Sequence, residues 1–507
     1  MRNHLNALRH PLPPGPPARP VIGNILSFPP TGGWHVLTEY KKTYGDLVFF
    51  HGLGNNILVL NSLAAINDLL DKRGEIYSDR PSFTVVGELM GLGQSLPLLP
   101  YGKQWREQRK LAHAALSLSS IKKYYKIQED MAAMLNEALL DDPNNFCSHV
   151  RLTAGRIILS LTYGLSVDTA DDQYITHAEK TMELIGKATV PGAFLCDFIP
   201  AMRYLPAWVS FQREAKKGRA MIESLVTKPF EHVKQEIADN TVLRPSLTSD
   251  LLSVRPQEGI SQSEFESHIK WAAGSMYGAH SYEQTYATII CFIMAMALNP
   301  EKQKLAQEEI DRIVGKDRIP TMEDRELLPY VNATIKEVLR WHPALPLSIA
   351  RMATKDDIYE GHTIPKGTII VPNVWCVLET YFYFELNCNK SVLSDRVIAH
   401  EPSADFDEQV FLPERFLAPD VTAPDPGKWA FGFGRRICPG RALAENSLFV
   451  IIAGILSVFN ISPPAEGDLK VEFSPNLVSY PENFKCQIIP RSQRKSALAH
   501  QRAKECL

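Results

Sequence analysis

The sequence predicts a mainly helical fold with a small β-rich part, and three observations carry that reading. A helical pattern runs from Ser263 to Asn299 and is apolar nearly all round beyond Trp271, as a central buried helix would be. Helical patterns also follow one another from Lys103 to about Ser253, with breaks near 141–145 and 189–207. Runs rich in β-branched and aromatic residues are short and few.

Taken in order, residues 1–30 form a leader. Met1–His10 is polar and basic, and the proline-dense Pro11–Pro20 makes a stiff, partly polyproline segment. Residues 45–62 hold two β-rich runs around a Gly/Asn turn, which predicts a hairpin. From Pro81 to Pro100 the chain reads as a loop, with Gly87, Gly91 and Gly93 inside it. After the long helix stops at Asn299-Pro300, helix signals resume at 301–314 and 330–341. Short strands and turns fill Ile358–Val371, and a loop-rich stretch leads to Pro439. A last helix spans Ala442–Phe459, strand-like pieces follow, and 498–507 reads as a polar tail. No repeat or low-complexity linker interrupts 31–497, so that span reads as a single domain.

The 507 residues are 45% hydrophobic and 22% charged, with a formal net charge of −3, which leaves ample material for a large core. Near-neutral charge, with no long Lys/Arg run and no zinc spacing, argues against nucleic-acid binding. The eight cysteines are scattered without a C-x-x-C, which fits free thiols in a reducing compartment. No run of ~18 apolar residues lies near the amino terminus, so no membrane anchor or signal segment is read there.

Phe431–Gly440, FGFGRRICPG, carries the chemistry. Glycines at 432, 434 and 440 let a turn pass close to a flat ligand. Arg435 and Arg436 supply donors that recognise carboxylates, and Pro439 removes a backbone donor just after the sulfur. A thiolate at Cys438 in this electropositive turn is expected to have a depressed pKa. As an axial haem ligand it pushes electron density onto iron and favours O–O cleavage. A Gly-rich loop with a buried cysteine is the bland alternative, but the full F-x-x-G-x-R-x-C-x-G spacing is far rarer. Upstream, Glu337 and Arg340 sit at i, i+3 on one helix face. Arg415, in Pro413-Glu414-Arg415-Phe416, is placed to join them in the kind of network that buried charges need.

With these motifs the chain resembles the cytochrome P450 family, and within it the microsomal type typical of fungi, over roughly residues 11–495. The resemblance implies the cytochrome P450 fold, with its long central helix and cysteine-loop site, and a haem b whose axial ligand is Cys438. It implies that Glu337, Arg340 and Arg415 form a structural triad. Trp105, Arg109, Arg351 and Arg436 fall where the family holds the haem propionates, and Phe431, Gly434 and Gly440 complete the cofactor-binding loop. It further implies a monooxygenase that uses O2, electrons from an NADPH-cytochrome reductase, and an apolar substrate such as a secondary metabolite or xenobiotic. Pocket walls are expected from the 83–100 loop, the 271–285 helix, Leu345–Ile349 and Val478–Tyr480. The implied location is the cytosolic face of the endoplasmic reticulum membrane, with anchored or peripheral association.

Two departures stand out. The family's distal helix carries a small-residue kink followed by an acid and Thr. Here the run Gly278–Thr285 puts Glu283 at the acid position and Gln284 where Thr would stand, with one extra residue between. Glu283, Gln284 and Thr285 are therefore the candidate catalytic group. On a regular helix Thr285 would face about 100° away from Gln284, and a π-bulge would absorb the insertion. The second departure is the segment 376–396, which intervenes between Asn373-Val374-Trp375 and the Val397–Pro402 run. A retained short intron and an evolved surface insertion are both open as its origin. These departures support the alternative reading, a haem-binding but catalytically impaired paralogue or mis-spliced product.

Overall fold

The computed structural model describes residues 10–29, 32–189, 194–241, 244–256, 258–279, 282–376, 410–417 and 424–506. The segment 377–396 of the expected insertion lies outside them, as do His280 and Ser281, where the bulge was expected.

Strands β1 (Leu47–Gly52) and β2 (Asn55–Leu60) form the expected antiparallel hairpin. It turns on Leu53 and Gly54 with φ of 51° and 79°, the positive values that a two-residue hairpin turn demands. Strand β3 (Arg351–Met352) is followed by a small hairpin of β4 (Asp357–Tyr359) and β5 (His362–Ile364), and then by β6 (Ile369–Pro372). Strand β6 runs parallel to β2 and antiparallel to β3, giving a four-stranded sheet in the order β1-β2-β6-β3. This places Arg351 on an edge strand. The proline leader docks on these sheets: Phe49 N–H donates to Pro14 O (2.7 Å) and Thr363 N–H to Pro11 O (2.9 Å).

The helices build the rest. They are α1 (Trp34–Tyr44), α2 (Lys103–Ala115), α3 (Tyr125–Asp141), α4 (Phe146–Tyr163), α5 (Gln173–Ala188) and α6 (Ser210–Ala238). Then come α7 (Gln262–Ala279), α8 (Tyr282–Leu298), α9 (Pro300–Ile313), α10 (Pro329–Trp341), α11 (Arg441–Val458) and α12 (Gln493–Lys504). Helix α8 is buried on every side from Ala287 to Ala297, and it packs on α4 and α11. Helix α11 is long and apolar enough to cross a membrane, but most of it lies inside the core.

Helix α6 lies close across α7 because Gly274 and Gly278, one turn apart, present no Cβ. A Cβ at Gly274 would stand 2.4 Å from Val226 Cγ1. Helix α10 starts on Pro329, whose missing N–H costs nothing at a first turn. The Glu309 carboxylate of α9 accepts from the next two amides, Tyr330 N (2.9 Å) and Val331 N (3.0 Å), fixing the helix that carries Glu337 and Arg340.

Two expectations are corrected. The 81–100 stretch is not all loop: it winds into a wide helical turn at Thr84–Leu89, which buries Thr84, Val85 and Val86. The expected polar tail belongs to α12, which docks by burying Ala499 and Ala503. An ion pair from Arg502 to Asp130 (2.7 Å) holds it.

Candidate active site

The cysteine loop leaves a tight turn at Gly434–Arg436, passes Cys438 and runs straight into α11. Cys438 N–H donates to Phe431 O (2.8 Å), which closes the loop. Gly434 has φ 47°, and a Cβ there would meet Leu70 O at 2.4 Å, so only glycine fits. A Cβ at Gly440 would lie an ordinary 3.8 Å from Cys438 Sγ, so the protein's own packing does not demand that glycine. The expectation of a depressed thiol is corrected. Burial pushes Cys438 up, and the Gly440 N–H and the Arg109 charge only partly offset it.

Behind the loop Glu337, Arg340 and Arg415 come together. Glu337 accepts from Arg340 Nε (2.7 Å) and Nη2 (2.9 Å) and from Arg415 Nε (3.1 Å). It also accepts from the Leu412 amide (2.7 Å). The three side chains are 0–3% exposed, so the pairing offsets a desolvation that none of them would survive alone. Both guanidiniums also donate to Val410 O, tying α10 to the segment before the loop.

The expected propionate ligands converge on the other side. Arg436 donates to Ser78 O (2.8 Å) and Leu99 O (2.7 Å) and lies 4.6 Å over the Trp105 ring. Arg351 donates to Phe433 O (2.6 Å), and Arg109 to Ile437 O. Sequence reasoning missed a fourth member, Arg80, which donates to Pro97 O (2.7 Å) and Ile349 O (2.7 Å). Its only sequence signal was a charged residue just before Pro81. No carboxylate pairs with any of the four among the described residues. Burial pushes Arg351 down to about 9 and Arg436 to about 10, and burial with the neighbouring Arg436 and Arg351 pushes Arg80 down. Three buried cations and the half-buried Arg109, bonded to carbonyl oxygens and with no carboxylate in an ion pair, fit a dianionic ligand such as the two propionates of a haem.

Cys438, Phe431, Gly440, Trp105 and all four arginines line one cavity. Facing residues on α7 and α8 include Ser275, Met276, Gln284, Thr285 and Thr288. Thr285, about 100° round the helix from Gln284 on regular geometry, nevertheless lines the same cavity. Positions 284, 285 and 288 fall within one 100° stripe of a helix, and the cavity is wide enough to meet all three. Thr288 was also missed; it donates to Gln284 O (2.8 Å). Glu283 stands outside this lining, half-buried at the start of α8. Burial, then Glu179 and Glu183 of α5, raise its carboxyl to about 7.

A second, more apolar chamber adjoins the first. It draws on the 83–98 segment and Leu347–Ala350 as expected, and on Met182, Ile185, Ile222 and Leu225 of α5 and α6, which the sequence did not signal. Val478–Tyr480 line neither chamber. Pro475–Leu477 take that place, because Ser479 is committed to His342 (2.9 Å) and Ala344 O (2.9 Å).

The chain was compared with known proteins. The family model of cytochrome P450 matches residues 13–385 and 398–488, and its interruption overlaps the segment read as an insertion. Cytochrome P450 monooxygenase COX2 of Coprinopsis cinerea is 39% identical over 503 residues, covering 97% of this chain and 91% of the relative. Cytochrome P450 monooxygenase claR of Ampulloclitocybe clavipes is 36% identical, with 96% and 87% covered. Cytochrome P450 monooxygenase ppsD of Aspergillus oryzae is also 36% identical, with 95% and 89% covered. A zebrafish cytochrome P450 solved with abiraterone superposes with a TM-score of 0.69 at 24% identity, covering 90% of this chain and 100% of that one, which supports the fold.

Proposed function

The chain belongs to the cytochrome P450 family and is a haem-dependent monooxygenase, and on that premise we propose its electron source, substrate class and working surface. The electrons come from an NADPH-dependent reductase, and the substrate is an apolar organic molecule, a secondary metabolite or xenobiotic. The observation that carries this is the paired chambers: Cys438 and the distal side chains share one space, and an uncharged apolar space opens beside it.

Cys438 would hold a haem through its sulfur, and the haem would supply the oxygen chemistry of the reaction. The chain's residues do the rest. Arg80, Arg109, Arg351 and Arg436 would bind the propionates, while Glu337, Arg340 and Arg415 hold the segment behind the cysteine loop. Apolar walls such as Leu96, Ile157, Ile158 and Leu345 exclude water. Glu283, next to Gln284 but outside the lining, is proposed as a proton store behind that wall, its carboxyl raised to about 7 by burial and then by Glu179 and Glu183. Gln284 lines this space, where an amide relays protons poorly compared with a hydroxyl. Thr285 and Thr288 stand beside it as the hydroxyls of that wall.

Membrane association is supported by exposed apolar side chains on two segments. Leu195 (63%), Tyr204 (78%) and Trp208 (76%) project from the connection between α5 and α6. Val21 (94%, φ 70°) and Leu26 (68%) project from the leader. Such side chains seat in the headgroup boundary of a bilayer.

The test is a reduced carbon-monoxide difference spectrum of wild type and Cys438→Ser, followed by turnover with reductase and NADPH. Thiolate ligation lost in Cys438→Ser, and NADPH-dependent oxidation of an apolar panel by wild type, are the expected results. A normal spectrum without turnover would favour the impaired paralogue that Gln284 makes conceivable. Activity that persists without NADPH would point to peroxide as oxidant.

A further inference from the structure

The outer chamber is lined by side chains that carry no charge, and the cations of the inner one are Arg80, Arg109, Arg351 and Arg436. All four donate to backbone carbonyls and are assigned to the propionates, so a bound haem leaves none of them for a substrate. Three hydroxyls of the outer chamber are also committed. Thr189 donates to Ile185 O (2.9 Å), Ser95 to Leu92 O (2.6 Å) and Ser275 to Trp271 O (2.6 Å). Each has placed its single O–H on the backbone, so it can accept a hydrogen bond from a ligand but has none to donate. The other polar groups of the lining, Ser348, Asn476 and the indoles of Trp34 and Trp271, are neutral.

Charges behind the roof of this chamber do not help an anion. The Asp197 carboxylate accepts from Val85 N (3.1 Å), two residues from Phe83 of the lining, and Arg203 of the same connection is paired with Glu88 (2.7 Å). A carboxylate or diphosphate seated here would exchange water for neutral groups, several of which point only lone pairs at it. A buried ion without a partner costs more than such contacts return. Pro97, Ser275, Ser348 and Ile349 line both chambers, so a molecule that extends from the inner space has to fit the charge-free one.

We propose that the substrate is a carbon skeleton already released from its anionic carrier group, and that the reaction which supplies it is one that removes this group. Two such steps need no redox partner. In one, the C–O bond to a diphosphate breaks, inorganic diphosphate leaves with the electron pair, and the carbon cation sheds a proton or adds water. In the other, the C–C bond to a carboxylate breaks, CO2 leaves and a proton takes its place. Fatty acids and carrier-bound intermediates are thereby excluded as substrates. The inference rests on the apolar-substrate reading above and narrows it from apolar to uncharged.

The test titrates the haem-loaded enzyme with matched probes while the haem spin-state shift is followed. The probes are β-farnesene, farnesol, farnesoic acid and farnesyl diphosphate, with dodecane and dodecanoic acid as a straight-chain pair. Near neutral pH the acids and the diphosphate are expected to bind roughly 100-fold or more weakly than the neutral probe of the same skeleton, about 2.8 kcal/mol at about 1.4 kcal/mol per tenfold. Only the protonated acid should enter, so the affinity of both acids should rise roughly tenfold for each unit that pH falls from about 8 to about 6, above the ordinary carboxyl range. Leu477→Arg sets a guanidinium at the half-buried rim of the outer chamber and should improve both acids roughly tenfold; Leu477→Gln, polar but neutral, should not. An acid or diphosphate that binds wild type as tightly as its neutral counterpart overturns the proposal, and so does an acid affinity that ignores pH over that range. Acids still excluded from a Leu477→Arg enzyme that retains farnesene binding overturn it too, since shape and not charge would then be excluding them. Each of these outcomes leaves the apolar reading standing, because a neutral probe binds. Binding of no neutral probe, with a normal carbon-monoxide spectrum, removes the apolar reading and this inference with it.

Discussion

Replacing Glu337 with Gln tests how much of the fold rests on one buried carboxylate. The glutamine side chain matches glutamate in size, so packing is preserved and only charge and acceptor capacity change. The native carboxylate bonds Arg340 at 2.7 and 2.9 Å, Arg415 at 3.1 Å and the Leu412 amide at 2.7 Å, all but out of water. An amide keeps one acceptor oxygen and turns its NH2 toward a guanidinium. Breaking a buried ionic pair in this way costs about 3–5 kcal/mol, against a total stability of about 5–15 kcal/mol. Unfolding entropy of about 2.1 cal/mol/K per residue gives a chain of this size roughly 1 kcal/mol/K, so melting should fall by about 3–5 °C. Haem content should fall with it, because the segment behind the cysteine loop is held by the same bonds. Glu39→Gln is the control: it breaks the Lys42–Glu39 pair, whose side chains are 65–70% exposed, and should move melting by less than about 1 °C. Circular dichroism melts and a haem-to-protein ratio provide the readout. A Glu337→Gln protein that melts within a degree of wild type with full haem content would refute the reasoning.

Three further outcomes are expected. Gln284→Thr restores a hydroxyl to the distal wall and should raise product formed per NADPH consumed; an unchanged ratio would remove Gln284 from the proton path. Glu283 has a folded pKa of about 7 against an ordinary 4.5, set by burial, Glu179 and Glu183, so it carries its proton below neutrality and loses it above. Product per NADPH should therefore decline as pH rises through 7, with a flat profile in Glu283→Gln, and because the folded pKa is raised, stability should fall as pH rises from 4.5, where the unfolded carboxyl ionises, to about 7, where the folded one does. Gly274→Ala should cost about 1–3 kcal/mol, since its Cβ would press on Val226 Cγ1 and Cβ. Gly278→Ala, which meets only the end of Leu225, should cost less, and thermal melts showing the reverse order would defeat this account of how α6 and α7 meet.

What the sequence disclosed and what it hid divide along a physical line. The cysteine loop was legible because its demands are local: Gly434 must be glycine to pass Leu70, and Cys438 lies two residues from Arg436. The i, i+3 spacing of Glu337 and Arg340 is equally local. Arg415 could be offered as their partner only because buried charges need pairing, and the structure brings it to 3.1 Å from Glu337. Arg80 and Thr288 were hidden because nothing in their neighbours' spacing marks them. Arg80 is placed by contacts with residues 349–350, 269 and 270 positions further along the chain. The outer chamber was partly legible for a similar reason. Its α5 and α6 walls are apolar residues that a sequence cannot distinguish from core until the helices are docked.

That division has a consequence for how such a site can change. The cysteine side is over-determined by short-range geometry and by charges that no neutral residue replaces without cost. Substitution there, as at Glu337, is paid in stability. Met182, Ile185, Ile222 and Leu225 face a chamber with no charge to satisfy, and exchanges of similar volume among such residues usually cost less than about 1.5 kcal/mol.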